Sequence, residues 1–407
     1  MRVKANRRIQ FLLASILIPL LLGATSDEEL RLRARKIAQE TIIIDTHIDV
    51  PYRLQTRWED ISKRTARGDF DYPRAKEGGL NAPFMAIYVP ANRENQNPKS
   101  MADSLINMVE GFAKRWPDKF ALARTISDIQ SQFKDGKMSL AMGMENGAGL
   151  EGKLENVQYF YDRGVRYITL AHSRDNHIGD SSYDTTRTWK GLSPFGKTLI
   201  GQMNRVGMMI DVSHVTDDAF YQIIDLSKAP VIASHSACRH FTPGWERNMS
   251  DDMIKKMAQN GGILMMNFGS SFLRKEILVK EEHEQLVIRE HLRTNKLRSD
   301  DPKARAFIAE YRKKNPVTYA DVKDVVTHIN HVVNLVGIDH VGLGSDFDGL
   351  GDSLPTGLKD VSQYPNLIYE LLKAGYSEPD IKKILSENFF RAWSSIDRVA
   401  RQLQSQR

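Results

Sequence analysis

Residues 41–50 read TIIIDTHIDV. The apolar run Ile42-Ile43-Ile44 is continuous rather than alternating, which suits a parallel strand buried on both faces. An open, doubly wound nucleotide-binding sheet places a glycine-rich phosphate loop directly after its first strand. Here that position holds Asp45-Thr46-His47-Ile48-Asp49 instead. The strand therefore ends in imidazole and carboxylate, not in a phosphate cradle.

Further short apolar runs of the same kind lie at Asn81–Val89, Ser139–Glu145, Arg166–His172, Met208–His214, Val231–Ser236, Gly262–Phe268 and His340–Phe347. Between most of them lies a helical stretch: Met101–Trp116, Leu154–Arg163, Pro194–Val206, Thr216–Leu226 and Asp251–Gln259. Ser193 and Ser250 stand in capping positions before two of these helices. Eight strands alternating with helices predict an α/β fold, a closed (β/α)8 barrel of the TIM type. One stretch departs from the alternation. Residues 271–315 hold 12 Lys/Arg and 8 Asp/Glu in 45 positions, which predicts a solvated helical insertion before strand eight. Residues 364–398 read as closing helices.

The composition agrees with a globular enzyme. The chain has 407 residues, 41% hydrophobic and 27% charged, so disorder and coiled coil are excluded. One cysteine, Cys238, rules out a disulfide framework and a four-cysteine zinc site. The net charge is +6, but Arg2, Lys4, Arg7 and Arg8 lie in residues 1–26 without any acid, so removing them leaves +2. A balance that small gives no case for nucleic acid. Those basic residues precede an apolar run, Phe11 to Leu22, and small residues from Gly23 to Ser26. That layout predicts a secretory signal peptide over 1–26 and a single exported domain over 27–407, periplasmic or secreted, with no stable membrane anchor after cleavage. The run is short of the ~20 apolar residues that a spanning helix needs.

The chemistry collects at the strand ends. His47 and Asp49 close the first run, Glu145 the third, His172 the fourth, His214 the fifth, His235 lies near the end of the sixth, and Asp346 near the end of the eighth. In a parallel barrel these ends share one rim, the face where barrel enzymes build their sites. Imidazole and carboxylate without thiolate suit Zn²⁺ or a similar ion. His47 and Asp49 are two apart in a strand, so both can reach one ion. His214 and His235 can hold a second, with Glu145 bridging the pair. Two such ions polarise a carbonyl and lower the pKa of a shared water. Asp346 is then free to move protons, and His172 to donate to the developing oxyanion. His328 and His331, three apart on a predicted helix, find no further ligand nearby in sequence. His177 and His240 follow the site strands in loops, where they can line the pocket.

Asp45-Thr46-His47-Ile48-Asp49-Val50-Pro51 resembles the opening motif of the membrane (renal) dipeptidases, the zinc-dependent M19 peptidases. Gly143–Asn146, Leu170–Ser173, Asp211–His214, Ala233–Ser236, Arg247-Asn248 with Asp251-Asp252, and Gly342–Gly349 follow in that family's order. The resemblance spans roughly residues 40–395 and implies a (β/α)8 barrel of the metal-dependent hydrolase type. It implies two Zn²⁺ ions per chain: one on His47 and Asp49, one on His214 and His235, bridged by Glu145. A metal-bridging hydroxide would attack the peptide bond of a dipeptide, with Asp346 carrying the proton and His172 steadying the intermediate. His172 and Arg247 would bind substrate, Arg247 by its terminal carboxylate, and related enzymes tolerate a D-residue at the C-terminal position. A homodimer is implied too. Three departures stand out: Ile48 between the first ligands, Gly269 where an aromatic residue is expected, and a longer insertion at 271–315. The lack of the mammalian tail and cysteines fits a bacterial exported form.

Two other readings compete. An amidohydrolase-type enzyme acting on lactams, lactones or phosphoesters usually carries His-x-His on strand one and often a modified lysine bridge; Asp49 and Glu145 disfavour it. A catalytically silent, peptide-binding barrel would be expected to lack ligands or the proton carrier, and all are present.

Overall fold

A computed structural model describes residues 26–406. The expected leader lies outside the described residues except for Ser26. That serine caps the first helix, Asp27–Glu40: its Oγ accepts from Glu29 N, and Glu29 returns a bond to Ser26 N. No helix among the described residues is long and apolar enough to cross a membrane.

The strands are β1 (Ile43–Ile48), β2 (Leu80–Tyr88), β3 (Phe120–Leu122), β4 (Met138–Glu145), β5 (Val165–Thr169), β6 (Met209–Asp211), β7 (Ile232–Ser236), β8 (Ile263–Met266) and β9 (Val341–Leu343). All neighbours are parallel, in the order β1-β2-β4-β5-β6-β7-β8-β9, and β3 is a short addition beside β4. β3 was not foreseen, because three residues are too short to leave a pattern. Eight strands thus form a nearly closed parallel barrel. Its seam lies between β9 and β1, where Ile48 pairs with Phe347, Asp346 N donates to His47 O and Asp49 N donates to Phe347 O.

Two sets of side chains divide the barrel. Ile44, Phe84, Ala141, Tyr167, Met209, Ile232 and Met265, drawn from seven strands, pack into one cluster with Phe389, Trp393 and Ile396 of the C-terminal helix Asn388–Ser405. These residues fill the barrel and plug one end. The alternate residues, such as Ile48, Met85, Ile87, Met144 and Ile168, pack outward against the helices. Ile48 packs outward although Ile44, four residues earlier, faces inward, because β1 carries a register shift between Asp45 and Ile48; Asp49 lies past the strand's end, just before the helix Val50–Thr56. Tyr167 marks the upper limit of the dry interior, its ring against Phe84 and its hydroxyl among polar groups. Gly143 permits this, since a Cβ there would run into the Tyr167 ring.

Helices over Pro194–Val206 and Asp251–Gln259 begin at the expected caps, Ser193 and Ser250. β5 stops at Thr169, earlier than the apolar run suggested. Residues 170–193 form a loop stitched by side chains: Asp180 accepts from Trp189 N and Gly191 N, and Asp175 from Ser181 N and Thr188 N. The charged insertion forms two helices, Lys275–Thr294 and Pro302–Lys314, joined by an Arg312–Glu284 ion pair at 2.8 Å.

Asp45 secures the seam from within. Fully buried, it accepts from His47 N at 3.1 Å, from Ser345 N at 2.9 Å and from the Tyr364 hydroxyl. Replacing it leaves buried donors without partners, each at ~1–3 kcal/mol. Asp45→Ala is therefore expected to lose about 2–5 kcal/mol in urea unfolding. Asp45→Asn, which keeps an acceptor oxygen, should lose clearly less.

Candidate metal centre

The rim brings the expected residues into one cluster. Glu145, at the end of β4, is buried with its two oxygens facing different ligands. Oε2 lies 3.5 Å from His47 Nε2. Oε1 lies 3.1 Å from His214 Nε2, 3.3 Å from His235 Nε2 and 3.5 Å from His172 Nε2. His47 Nε2 is also 3.4 Å from Asp49 Oδ2. Asp346 groups with His47 and Asp49, all three within reach of one ion. Two further ion-sized groups are His47-Glu145-His235 and Glu145-His172-His214.

The supporting bonds place a proton on the second ring nitrogen of His47 and of His235. The Tyr167 hydroxyl donates to Thr46 O at 2.9 Å, so it must accept from His47 Nδ1–H at 2.8 Å. The Ser234 hydroxyl donates to Asp211 Oδ2 at 2.6 Å, so it must accept from His235 Nδ1–H at 2.7 Å. With Nδ1 held from below, His47 turns its Nε2 to Glu145 Oε2 and His235 turns its Nε2 to Oε1. Arg247 Nη2, which can only donate, lies 3.1 Å from His214 Nε2, so this nitrogen is unprotonated. His214 and His235 Nε2 then face each other at 2.8 Å as two lone pairs beside a carboxylate oxygen. His47 Nε2 is buried with no hydrogen-bond partner. Converging lone pairs of this kind fit cations, and fixing the tautomer through the second ring nitrogen is how proteins prepare metal-binding histidines.

Electrostatics point the same way for His214 and His235, whereas His47 is held well above the usual imidazole range: burial opposes this, but Tyr167, Glu145 and Asp49 outweigh it. Burial, then the positive Arg247, pushes His214 well down; burial, then His47, does so for His235. Burial lowers His172 as well. Burial would raise Glu145, but the surrounding imidazoles outweigh it and hold the carboxyl well below its usual range. Asp346 is pushed well above the usual carboxylate range by burial and then by Asp49 and Glu145, although His47 opposes this. Its Oδ2 accepts from Asn267 Nδ2 at 3.0 Å.

Backbone strain concentrates here. His214 (φ 70°), Asp346 (φ 65°) and Asn146 (φ 72°) all occupy the left-handed region, which costs a non-glycine residue about 1–3 kcal/mol. Contacts over-determine each. Ser182 N donates to His214 O at 2.7 Å, and Asn146 exchanges side-chain bonds with Val89 O, Ala148 N and Asn176. Gly349 lies so close that a Cβ would collide with both Asp346 and Asp49 carboxylates.

Arg247 is buried and anchored, donating to Ser236 Oγ at 2.7 Å and His235 O at 2.8 Å, with Phe272 under its guanidinium at 5.0 Å. Its Nε is buried without a partner. A cavity of about 680 Å³ extends from Gly349 and Leu350 past Tyr183, Trp245 and Phe272 to Glu281 of the insertion. Phe272 also explains Gly269: a Cβ at 269 would meet the Phe272 ring at 2.7 Å, so the aromatic surface comes from three residues further on.

The profile of the membrane dipeptidases, peptidase family M19, matches residues 31–407. The chain belongs to this family. It is 30% identical over 372 residues to an uncharacterized dipeptidase of Schizosaccharomyces pombe, covering 87% of this chain and 81% of that one. Among solved structures, the probable dipeptidase PvdM from Pseudomonas aeruginosa shares 27% identity with a TM-score of 0.79, covering 92% of this chain and 100% of that one. A metallopeptidase from Rhodobacter sphaeroides, liganded with a phosphinate mimic of the dipeptide L-Ala-D-Ala, shares 26% identity with a TM-score of 0.72, over 88% of this chain and 100% of that one. The chain is thus a metallo-dipeptidase, a hydrolase, and its clustered donors are consistent with a binuclear metal site.

Several residues of the dipeptidase site escaped the sequence reading. Tyr88 ends β2 and packs on His172 at 4.7 Å and on Tyr52 at 4.9 Å. The strand-end rule that found the histidines applies to it equally. Tyr167 acts on His47, Ser234 and Asp211 on His235, and Asn267 on Asp346, through hydrogen bonds between strands for which linear sequence carries no signal. His177 bonds to Glu94 and Gly152, and His240 stacks on His331, so neither joins the cluster. Tyr167→Phe and Ser234→Ala each free a ring nitrogen, and each should weaken metal affinity by ~10–100-fold without loss of fold. Isothermal titration with Zn²⁺ measures this; unchanged affinity in both would remove the tautomer argument.

Proposed function

We propose that the chain is a binuclear zinc dipeptidase acting on free dipeptides. The observation that carries this reading is the division of Glu145, Oε2 toward His47 and Oε1 toward His214 and His235. His47 and Asp49 hold one ion in this reading, His214 and His235 the other, and Glu145 joins them. The donor set, imidazole and carboxylate without thiolate, supports Zn²⁺. When bound, such a pair supplies a water ionised near neutral pH and polarises the scissile carbonyl.

The chain's own groups do the rest. Asp346, raised by burial and oriented by Asn267, has the proton affinity to accept a proton at its carboxylate and return it to the leaving amine. His172, lowered by burial, is a neutral donor on the open side of Glu145 for oxyanion charge. Arg247, fixed by Ser236, offers its guanidinium beside His214 to the substrate's terminal carboxylate. A carboxylate anchored that close to the ions leaves room for one residue after the scissile bond. We extend this to a D-residue at that position, supported by the ligand of the Rhodobacter sphaeroides relative. The basic, apolar, small-residue order of residues 2–26 supports an exported bacterial enzyme, periplasmic or secreted. A homodimer completes the proposal by family resemblance.

Asp346→Asn should lower kcat by ~10²–10⁴-fold with metal content unchanged. Retained turnover would reject Asp346 as proton carrier. In a panel of L,L- and L,D-dipeptides, their C-terminal amides and a tripeptide, only the free dipeptides should release amino acids. Equal cleavage of the amides would reject the role given to Arg247.

A further inference from the structure

A second group of metal-type donors lies apart from the catalytic cluster. His240 is in the short turn Arg239–Phe241 after β7, Asp251 opens the helix Asp251–Gln259, and His331 is on the helix Val322–Val336. Each offers one donor atom, and the three lie within 4.8 Å of one another. His331 Nε2 is 2.7 Å from Asp251 Oδ1. The His240 and His331 rings stack with centroids 4.5 Å apart.

We propose that His240, His331 and Asp251 form a peripheral site for a divalent transition-metal ion such as Zn²⁺. A hydrogen bond accounts for His331 and Asp251 by themselves, but not for His240. That ring makes no hydrogen bond among the described residues, yet it presents a nitrogen to the same small space. Two imidazoles and one carboxylate are the ligands of a three-residue zinc site, with water as the fourth; one carboxylate alone is too little for Ca²⁺ or Mg²⁺. Tetrahedral zinc at about 2.1 Å from each donor sets the donors roughly 3.3 Å apart. His331 and Asp251, hydrogen-bonded at 2.7 Å, must open by somewhat more than half an ångström as the ion replaces the shared proton, and the exposed His240 ring, stacked on His331, turns its nitrogen inward. The neighbouring His328 takes no part. It accepts from Cys238 N on Nδ1 and faces Leu273 O with Nε2, which uses both ring nitrogens. An ion here would tie three separate elements together, including the turn that leads to Arg247.

The full-length enzyme, loaded with Zn²⁺ and freed of excess, tests this by metal analysis and Zn²⁺ titration. His240→Gln and His331→Gln should each bind one ion per chain fewer than the unaltered enzyme and lose the thermal shift that this ion produces. Dipeptide turnover should persist in both. The difference of one ion carries the result, whatever the catalytic site itself holds. Equal metal content in the unaltered enzyme and His240→Gln would overturn the proposal. Should His331→Gln not fold, His240→Gln, altered at an exposed ring, decides it.

Discussion

Glu145 is a carboxylate taken out of water, and burying an isolated charge costs several kcal/mol. Only opposite charge or donors that cannot turn away offset that cost. The barrel supplies neither from one neighbour alone, so side chains from several strand ends must point at the same atom pair. β1 gives His47, the segment after β5 gives His172, that after β6 gives His214, and β7 gives His235. His47 and His235 are in turn fixed by bonds below them, to Tyr167 and Ser234. The geometry of the rim is thus a consequence of satisfying one buried group.

Asp211 shows how far that constraint reaches. It takes four hydrogen bonds, from Thr169, Ser234 Oγ, Ser213 N and Ser234 N, and so ties β5, β6 and β7 together. Asp45 does the same at the seam for β1 and β9. Asp211 stands in register with Thr169 and, through it, with Glu145, two residues beyond Tyr167 along the sheet. Stability and chemistry share residues here. Ser234 is the shared point: it donates to Asp211, which ties the strands, and accepts from His235 Nδ1, which turns His235 Nε2 toward Glu145.

The sequence shows where a barrel strand ends in a ligand type, because burial on both faces writes a continuous apolar run and the polar residue breaks it. His47, Glu145, His172, His214, His235 and Asp346 were readable for that reason, and so was the insertion, by its charge. Tyr88 ends a run in the same way but is not a metal-ligand type, so a search for donors passed over it. Partners such as Tyr167 and Ser234 become meaningful only when strands distant in sequence lie side by side. The trio His240, Asp251 and His331 belongs to the same class: three elements, no common spacing. β3 and the irregular loop 170–193 leave no periodic signal, because the loop is held by aspartate side chains rather than by a repeating backbone pattern.

The insertion bears on selectivity rather than on bond cleavage. Phe272, at its start, lies under Arg247 and against Trp245, filling space next to Gly269. The cavity then runs outward to a wall of charged residues, of which Arg312 and Glu284 form an ion pair while Lys280 and Glu281 bond to the neutral Thr318 and Ser353 hydroxyls. The aromatic side chains of Tyr183, Trp245 and Phe272 line the same cavity. The cleft thus combines one buried guanidinium, that of Arg247, with aromatic side chains at its inner end and charged helices of the insertion at its outer end.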